Sequence, residues 1–271
     1  MKEKLENFFK KKRIMGILNC TPDSFSDGGE FFSKEDALKQ ARRLVEEGAD
    51  ILDIGGESTR PGAQAVSYEE ERARVIPVLK ELRLEFPQVL LSLDTQKASL
   101  ADEALELGVD IINDVSGLRD SEMLRVLSKF KKSVVLMHMR GDPQTMQKDT
   151  KYENVVEEIL LFFEEKIKEL EAQGIQDIIL DPGIGFGKGL KENIELLRNL
   201  EVFRSLGYPV LIGVSRKSFL GKITGSEVHE REEETLSAQL FALMKGADII
   251  RSHNVHAAKK SLLILEALEK H

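Results

Sequence analysis

Short apolar runs that end on polar residues alternate along this chain with longer stretches of helical period. The first run, residues 14–18, suits a strand buried on both faces, and it stops at Asn19. Turn formers follow (Thr21, Pro22, Asp23, Ser24, Ser26, Asp27, Gly28, Gly29), with Phe25 alone among them. Two readings fit: a long βα connection whose aromatic tucks back onto the body, or a mobile lid whose Phe25 closes over a substrate while Asn19 touches ligand or metal. Loops of this length are commonly functional, which favours the second. A helix is expected to open at Ser33, with Asp36 in a capping-box position. Its apolar stripe is Ala37, Leu38, Ala41, Leu44 and Val45, and Gly48 ends it.

The scheme then repeats. Strands are expected over 50–54, 89–93, 110–112, 133–136, 178–180, 210–214 and 248–250. Helical pattern fills the intervals from about residue 68, then over 98–107, 122–130, 154–173, 193–206, 235–245 and 257–269. Pro77 is expected to break the helix that begins near residue 68 or to start a second segment. A junction Gly-Ala/Val-Asp recurs at Gly48, Gly108 and Gly246, with Gly174 and Asp177 a looser case. Eight strands alternating with helices in 271 residues predict a single-domain α/β protein, a (β/α)8 TIM barrel spanning 1–271. No Gly-x-Gly-x-x-Gly follows the first strand to favour an open doubly wound sheet.

Composition narrows the function. With 41% hydrophobic and 32% charged residues, the chain supports one sizeable core and has no run near the roughly 18 apolar residues of a membrane span. Residues 1–12 are charged and lack the apolar centre of a secretory signal. The single cysteine, Cys20, allows no internal disulfide and points to a cytoplasmic protein. A net charge of −8 argues against nucleic acid or an anionic membrane as partner, while leaving room for an anionic small substrate.

The candidate chemistry lies at strand ends. Asn19, Asp53, Asp94, Asn113, His138, Asp181, Lys217 and His253 fall at or just past the carboxyl ends of expected strands, the face where barrel enzymes keep their sites. Singly, Asp53 or Asp114 reads equally as a helix cap or turn brace, and His138 as a satisfied core histidine. Asp94, Asn113 and Asp181 offer acceptors and one amide to a ligand edge rich in N–H donors. Arg60, Lys217, Arg251 and His253 offer cations to phosphate oxygens or to an electron-rich ring. Gly183, Gly185, Gly187 and Lys188 either cradle phosphate or clear room for a ligand; their spacing is not that of a P-loop. No cluster has zinc spacing, whereas Mg2+ needs only one or two protein oxygens besides phosphate.

These residues carry a resemblance. The matching segments are Met15-Gly-Ile-Leu-Asn with Thr21-Pro-Asp-Ser-Phe-Ser-Asp-Gly-Gly, Asp53-Ile-Gly-Gly-Glu-Ser-Thr-Arg-Pro-Gly, Asp94-Thr, Ile112-Asn-Asp-Val-Ser-Gly, Met137-His-Met-Arg-Gly, Asp181-Pro-Gly-Ile-Gly-Phe-Gly-Lys, Gly213-Val-Ser-Arg-Lys-Ser and Arg251-Ser-His-Asn-Val. Over nearly its whole length the chain resembles the dihydropteroate synthase family. It departs at Cys20, Gln96 and Ser252, none of which removes a charged site residue. The resemblance implies a cytoplasmic, homodimeric barrel that joins p-aminobenzoate to 6-hydroxymethyl-7,8-dihydropterin diphosphate, releasing diphosphate, with Mg2+ as cofactor.

By motif, the resemblance puts Asp94, Asn113, Met137, Asp181, Phe186, Lys217 and Arg251 around the pterin. Asn19, Arg60, Arg251 and His253 surround the diphosphate, with Asn19 on Mg2+. Phe25, Thr59, Pro61 and Ser218 line the p-aminobenzoate pocket. Asp94, Lys217, Arg251 and His253 are the expected catalytic set. A pterin-binding methyltransferase of the same barrel superfamily is the alternative, but it expels no diphosphate and leaves the Ser24 to Asp27 and Ser58 to Pro61 segments without a purpose. A non-catalytic pterin-binding relative is disfavoured by the presence of Lys217, Arg251 and His253.

Overall fold

The structure is a computed structural model that describes residues 8–21, 34–59, 62–142, 145–146 and 148–269. Its strands are β1 (Arg13–Asn19), β2 (Ile51–Gly55), β3 (Leu90–Asp94), β4 (Ile111–Asp114), β5 (Ser133–Met137), β6 (Ile178–Asp181), β7 (Leu211–Ile212) and β8 (Ile249–Ser252). All neighbours pair in parallel in the order β6-β5-β4-β3-β2-β1-β8-β7, and a bridge from Leu180 to Val210 closes the circle. The helices between them are α1 (Lys34–Glu46), α2 (Tyr68–Glu85), α3 (Ala98–Glu106), α4 (Ser121–Phe130), α5 (Val155–Ala172), α6 (Leu190–Arg198), α7 (Leu200–Arg204), α8 (Ser218–Thr224), α9 (Glu232–Met244) and α10 (Val255–Glu269). This is the (β/α)8 barrel that the alternation predicts.

Side chains alternate across each strand, so each carries one row into the barrel and one toward the helices. The inner row is apolar low in the barrel: Met15, Ile51, Ile111, Val135, Ile179, Leu211 and Ile249 form a closed layer with Phe8 and Phe9 against it. Two residues further along the strands the same row reads Ile17, Asp53, Ser92, Asn113, Met137, Asp181, Gly213 and Arg251. The inner row therefore changes from oil to polar groups on the way to the carboxyl ends. The outer row, for example Leu18, Ile54, Leu93 and Leu136, packs against the helices in the main core.

The recurring Gly-Ala/Val-Asp junction has a mechanical role at the opposite end. Gly48 (φ 100°) and Gly108 (φ 93°) sit in the left-handed region just after α1 and α3, which any side chain would resist. The next amides turn back, Ala49 to the Leu44 carbonyl at 2.9 Å and Val109 to that of Ala104 at 3.1 Å, with the same pattern at Ala247 and Ile175. Each acidic residue then accepts a backbone amide from a neighbouring strand: Asp50 from Ile14 (2.9 Å), Asp110 from Leu91 (3.1 Å) and Asp248 from Val210 (2.9 Å). One tripeptide stops a helix and latches the next strand to its neighbour.

Three expectations change. Pro77 lies inside an unbroken α2, because it faces solvent while Val75, Ile76, Val78, Leu79 and Leu82 hold the inner face. The helix expected over 193–206 is two, α6 and α7, parted at Asn199, whose side chain donates to the Glu195 carbonyl at 2.8 Å. The β7 ladder covers only Leu211–Ile212, shorter than the expected 210–214. The start of the first helix at Ser33 lies outside the described residues.

Candidate active site

Asp53 is the hub of the barrel mouth. It is fully buried in β2, and its carboxylate accepts from Ser92 Oγ on β3 (2.6 Å), Asn113 Nδ2 on β4 (3.0 Å) and Arg251 Nε on β8 (2.6 Å). Arg251 donates its Nη2 to Asp94 Oδ2 at 2.9 Å, so one guanidinium spans two carboxylates across the barrel. Burial raises the Asp94 carboxyl well above its usual range against the pull of Arg251, and the carboxylates of Asp53, Glu71 and Asp114 add to the rise. Strand spacing puts Asp53 among the polar strand ends but leaves a cap or brace open for it. Its place two residues above Ile51 in the inner row was the signal for a deeper role.

On the far side, Asp181 ends β6. Its Oδ1 accepts the Gly183 amide at 2.8 Å, and burial raises this carboxyl too, with Lys217 as the largest opposing influence. The Lys217 ammonium lies 4.4 Å from the Phe186 ring centre and donates to the Ile184 carbonyl. Burial pushes its pKa down to about 8, against the attraction of Asp181 and helped by Arg251. Phe186 packs against the buried Met137, Met139, Met146 and Val115. Gly213, with only hydrogen pointing toward Arg251 and Lys217, leaves the wall between them low.

Two of the β6–α6 glycines are required by close packing. A methyl on Gly183 would meet the His138 carbonyl at 2.0 Å, and one on Gly187 the Arg140 carbonyl at 2.6 Å. Lys188 is 3% exposed and donates to the His138 carbonyl (3.1 Å) and the Phe186 carbonyl (2.8 Å). His138 itself turns outward, with Phe162 edge-on at 5.0 Å, and burial pushes it down to about 2, with Lys188, Arg140 and Arg119 adding. It is a neutral core histidine and no part of the mouth.

At the rim, His253 follows β8 and its Nδ1 lies 2.9 Å from Ser215 Oγ. Arg216 holds a left-handed φ of 57°, with its amide given to Thr235 Oγ1 at 3.0 Å. That bend carries the chain from Ser215 at His253 to Lys217 at the pocket wall, an arrangement that motif spacing did not disclose. Ser218 opens α8 and is exposed; Asn19, at the end of β1, and Thr59, four residues past the end of β2, are half-buried. Asp94, Asn113, Met137, Asp181, Phe186, Lys217 and Arg251 thus share one mouth, with His253 at its rim. Phe25, Arg60 and Pro61 lie outside the described residues.

Fold and site together define a barrel enzyme whose mouth offers buried carboxylates to a hydrogen-bonding ring and cations to an anionic appendage. The chain belongs to the pterin-binding enzyme family, whose sequence profile matches residues 15–253. A curated relative from Synechocystis, named dihydropteroate synthase, is 46% identical over 96% of this chain and 91% of its own. The structure of Yersinia pestis dihydropteroate synthase with a sulfonamide drug complex superposes with a TM-score of 0.92 at 40% identity, covering 97% of this chain and 96% of that one. That of Xanthomonas albilineans dihydropteroate synthase with 4-aminobenzoic acid gives 0.90 at 43% identity, covering 96% and 94%.

Proposed function

We propose that the chain is a dihydropteroate synthase: it transfers the dihydropterinylmethyl group of 6-hydroxymethyl-7,8-dihydropterin diphosphate to the amine of p-aminobenzoate in folate biosynthesis. The observation that carries this is one mouth in which Arg251 bridges Asp53 and Asp94 while the buried Asp181 and the Lys217 ammonium over Phe186 face it from β6 and from the turn after β7. A pterin edge presents parallel N–H donors, which Asp181 accepts two at a time, while Asn113 and Lys217 read the adjoining atoms. Met137 and Phe186 supply the apolar walls, and Arg251 lies against the ring.

The C–O bond to diphosphate breaks with its electron pair leaving on oxygen, and the arylamine nitrogen forms the new C–N bond and then loses a proton. Arg251, His253, Arg60 and Asn19 receive the diphosphate, and Asp94 opposes the positive charge that builds on the pterinylmethyl carbon. Thr59, Ser218, Phe25 and Pro61 hold the amine where it can attack, and that positioning supplies much of the rate. The Asn19 amide oxygen, in the inner row at the end of β1, fits a hard cation that takes most of its ligands from phosphate and water. Mg2+ held there would neutralise charge on the leaving diphosphate.

Two further proposals complete the reading. Phe241 and Met244 on α9 and Leu263, Ile264 and Leu268 on α10 are exposed on two helices that pack together, an apolar surface suited to a second copy of the chain. Ile264→Glu should turn a dimer into a monomer by light scattering. The enzyme works in the cytoplasm: Cys20, its one thiol, is buried and pushed up to about 12 by that burial. No described helix is long and apolar enough to cross a membrane. The function itself is tested by diphosphate release from the dihydropterin substrate. Release that requires p-aminobenzoate is expected; none with both substrates and Mg2+ present would sink the reading.

A further inference from the structure

Outside the mouth, the most unusual ionic arrangement lies where β2 gives way to α2. The Lys97 ammonium, at the residue before α3, donates to Glu57 and to Glu71 Oε2 (2.5 Å). Glu71 is fully buried in the first turn of α2, and burial raises its carboxyl with Lys97 opposing. Two carboxylates thus share one cation, and among the described residues neither has another ion-pair partner. The preceding residue is pinned as well: Arg74 donates to the Gly56 carbonyl at 2.7 Å, and a methyl on Gly56 would strike Val75 at 2.7 Å.

These contacts stop at Glu57, two residues before Thr59, and Lys97 itself comes three residues after Asp94. We infer that Lys97 is a positioning residue: by clasping Glu57 against Glu71 it sets the direction in which Ser58 and Thr59 leave β2, and so shapes the p-aminobenzoate subsite from the strand that carries Asp94. The inference rests on the proposed role of Thr59. Buried Glu71 needs Lys97 for its own charge, but stability alone gives no reason to bring a second carboxylate from the mouth segment to the same ammonium, since the cluster is left with excess negative charge. Tethering that segment is what Glu57 adds.

The test uses steady-state kinetics on the full chain, with melting temperature alongside. Glu57→Ala cuts the tether and leaves Lys97 and Glu71 a balanced pair, so the fold is kept. It should raise KM for p-aminobenzoate about tenfold while kcat moves less than about threefold and calorimetric affinity for the dihydropterin is unchanged. Lys97→Met should shift KM the same way and lower the melting temperature, and Lys97→Arg should restore KM. If Lys97→Met fails to fold, Glu57→Ala decides alone. Thr59→Ala separates the two ideas. No KM change there overturns the reading of the subsite; a change there with none in Glu57→Ala overturns the positioning role.

Discussion

The Lys217 ammonium is held over Phe186 in a site that pushes its pKa down to about 8 by burial, from an ordinary 10.5. Below pH 8 both folded and unfolded chains carry the charge, and the folded state bears the full burial penalty. Between about 8 and 10.5 the folded chain has released its proton while the unfolded chain has not, so stability rises with pH there. Ligand-free Lys217→Met should therefore be more stable than the native chain at pH 7, by about 1–2 kcal/mol after allowing for partial exposure. Denaturant titrations across pH should show that gap closing toward pH 10.5; a constant gap would mean the charge is not the cause. The Asp53 carboxylate, by contrast, is fully matched by hydrogen bonds from Ser92, Asn113 and Arg251. Asp53→Asn puts an amide N–H among donors and leaves Arg251 short of a carboxylate. We expect a loss of about 3 kcal/mol or more in stability and on the order of 100-fold in kcat/KM, read by melting and by turnover. Asp53 was not legible as a hub because its partners are 39, 60 and 198 residues away in the chain.

Among the elements, the segment from β6 to α6 is the least forgiving. Gly183 combines a φ of 70° with the nearby His138 carbonyl, and Asn193 binds the far end of the turn through the Gly185 amide (2.6 Å) and the Gly189 carbonyl (2.7 Å). Gly183→Ala adds a left-handed penalty of ~1 kcal/mol to a backbone collision. At roughly 2–4 °C per kcal/mol for a chain of this size, a melting temperature lowered by about 5 °C or more is expected. A change under a degree would show that the turn relaxes freely. The strands and the longer helices were readable beforehand, because burial on both faces and a regular stripe leave a periodic trace in the residues. The α8 helix and the break at Asn199 were not, being too short for a period and decided by local side-chain bonds. The site was readable to the extent that strand ends converge in a barrel; for His138 the sequence left a strand-end and a packing role open, and one step along the strand, which turns a side chain to the other face, gives it the packing role.

For the molecule as a whole, the described residues hold no group of three or more His, Cys, Asp or Glu able to cage an ion. In the reading proposed above, Mg2+ would join with the diphosphate substrate and not with the fold. EDTA is expected to abolish turnover while shifting the melting temperature of the ligand-free enzyme by less than about 1 °C. A drop of several degrees would reveal an ion that supports the fold.

The tripeptide latches gather at the amino ends of the strands, and the reacting groups at the carboxyl ends, with a closed layer of Met15, Ile51, Ile111, Val135, Ile179, Leu211 and Ile249 between them. That separation insulates inheritance from chemistry. A lineage pressed by a drug that mimics the arylamine is free to sample new residues at exposed rim positions such as Ser218, because the latches and the closed layer sit at the other end of the barrel; Asp53 and Gly183 are mouth positions that the fold also needs. At such rim positions resistance is limited by discrimination between inhibitor and substrate, and much less by the danger of unfolding.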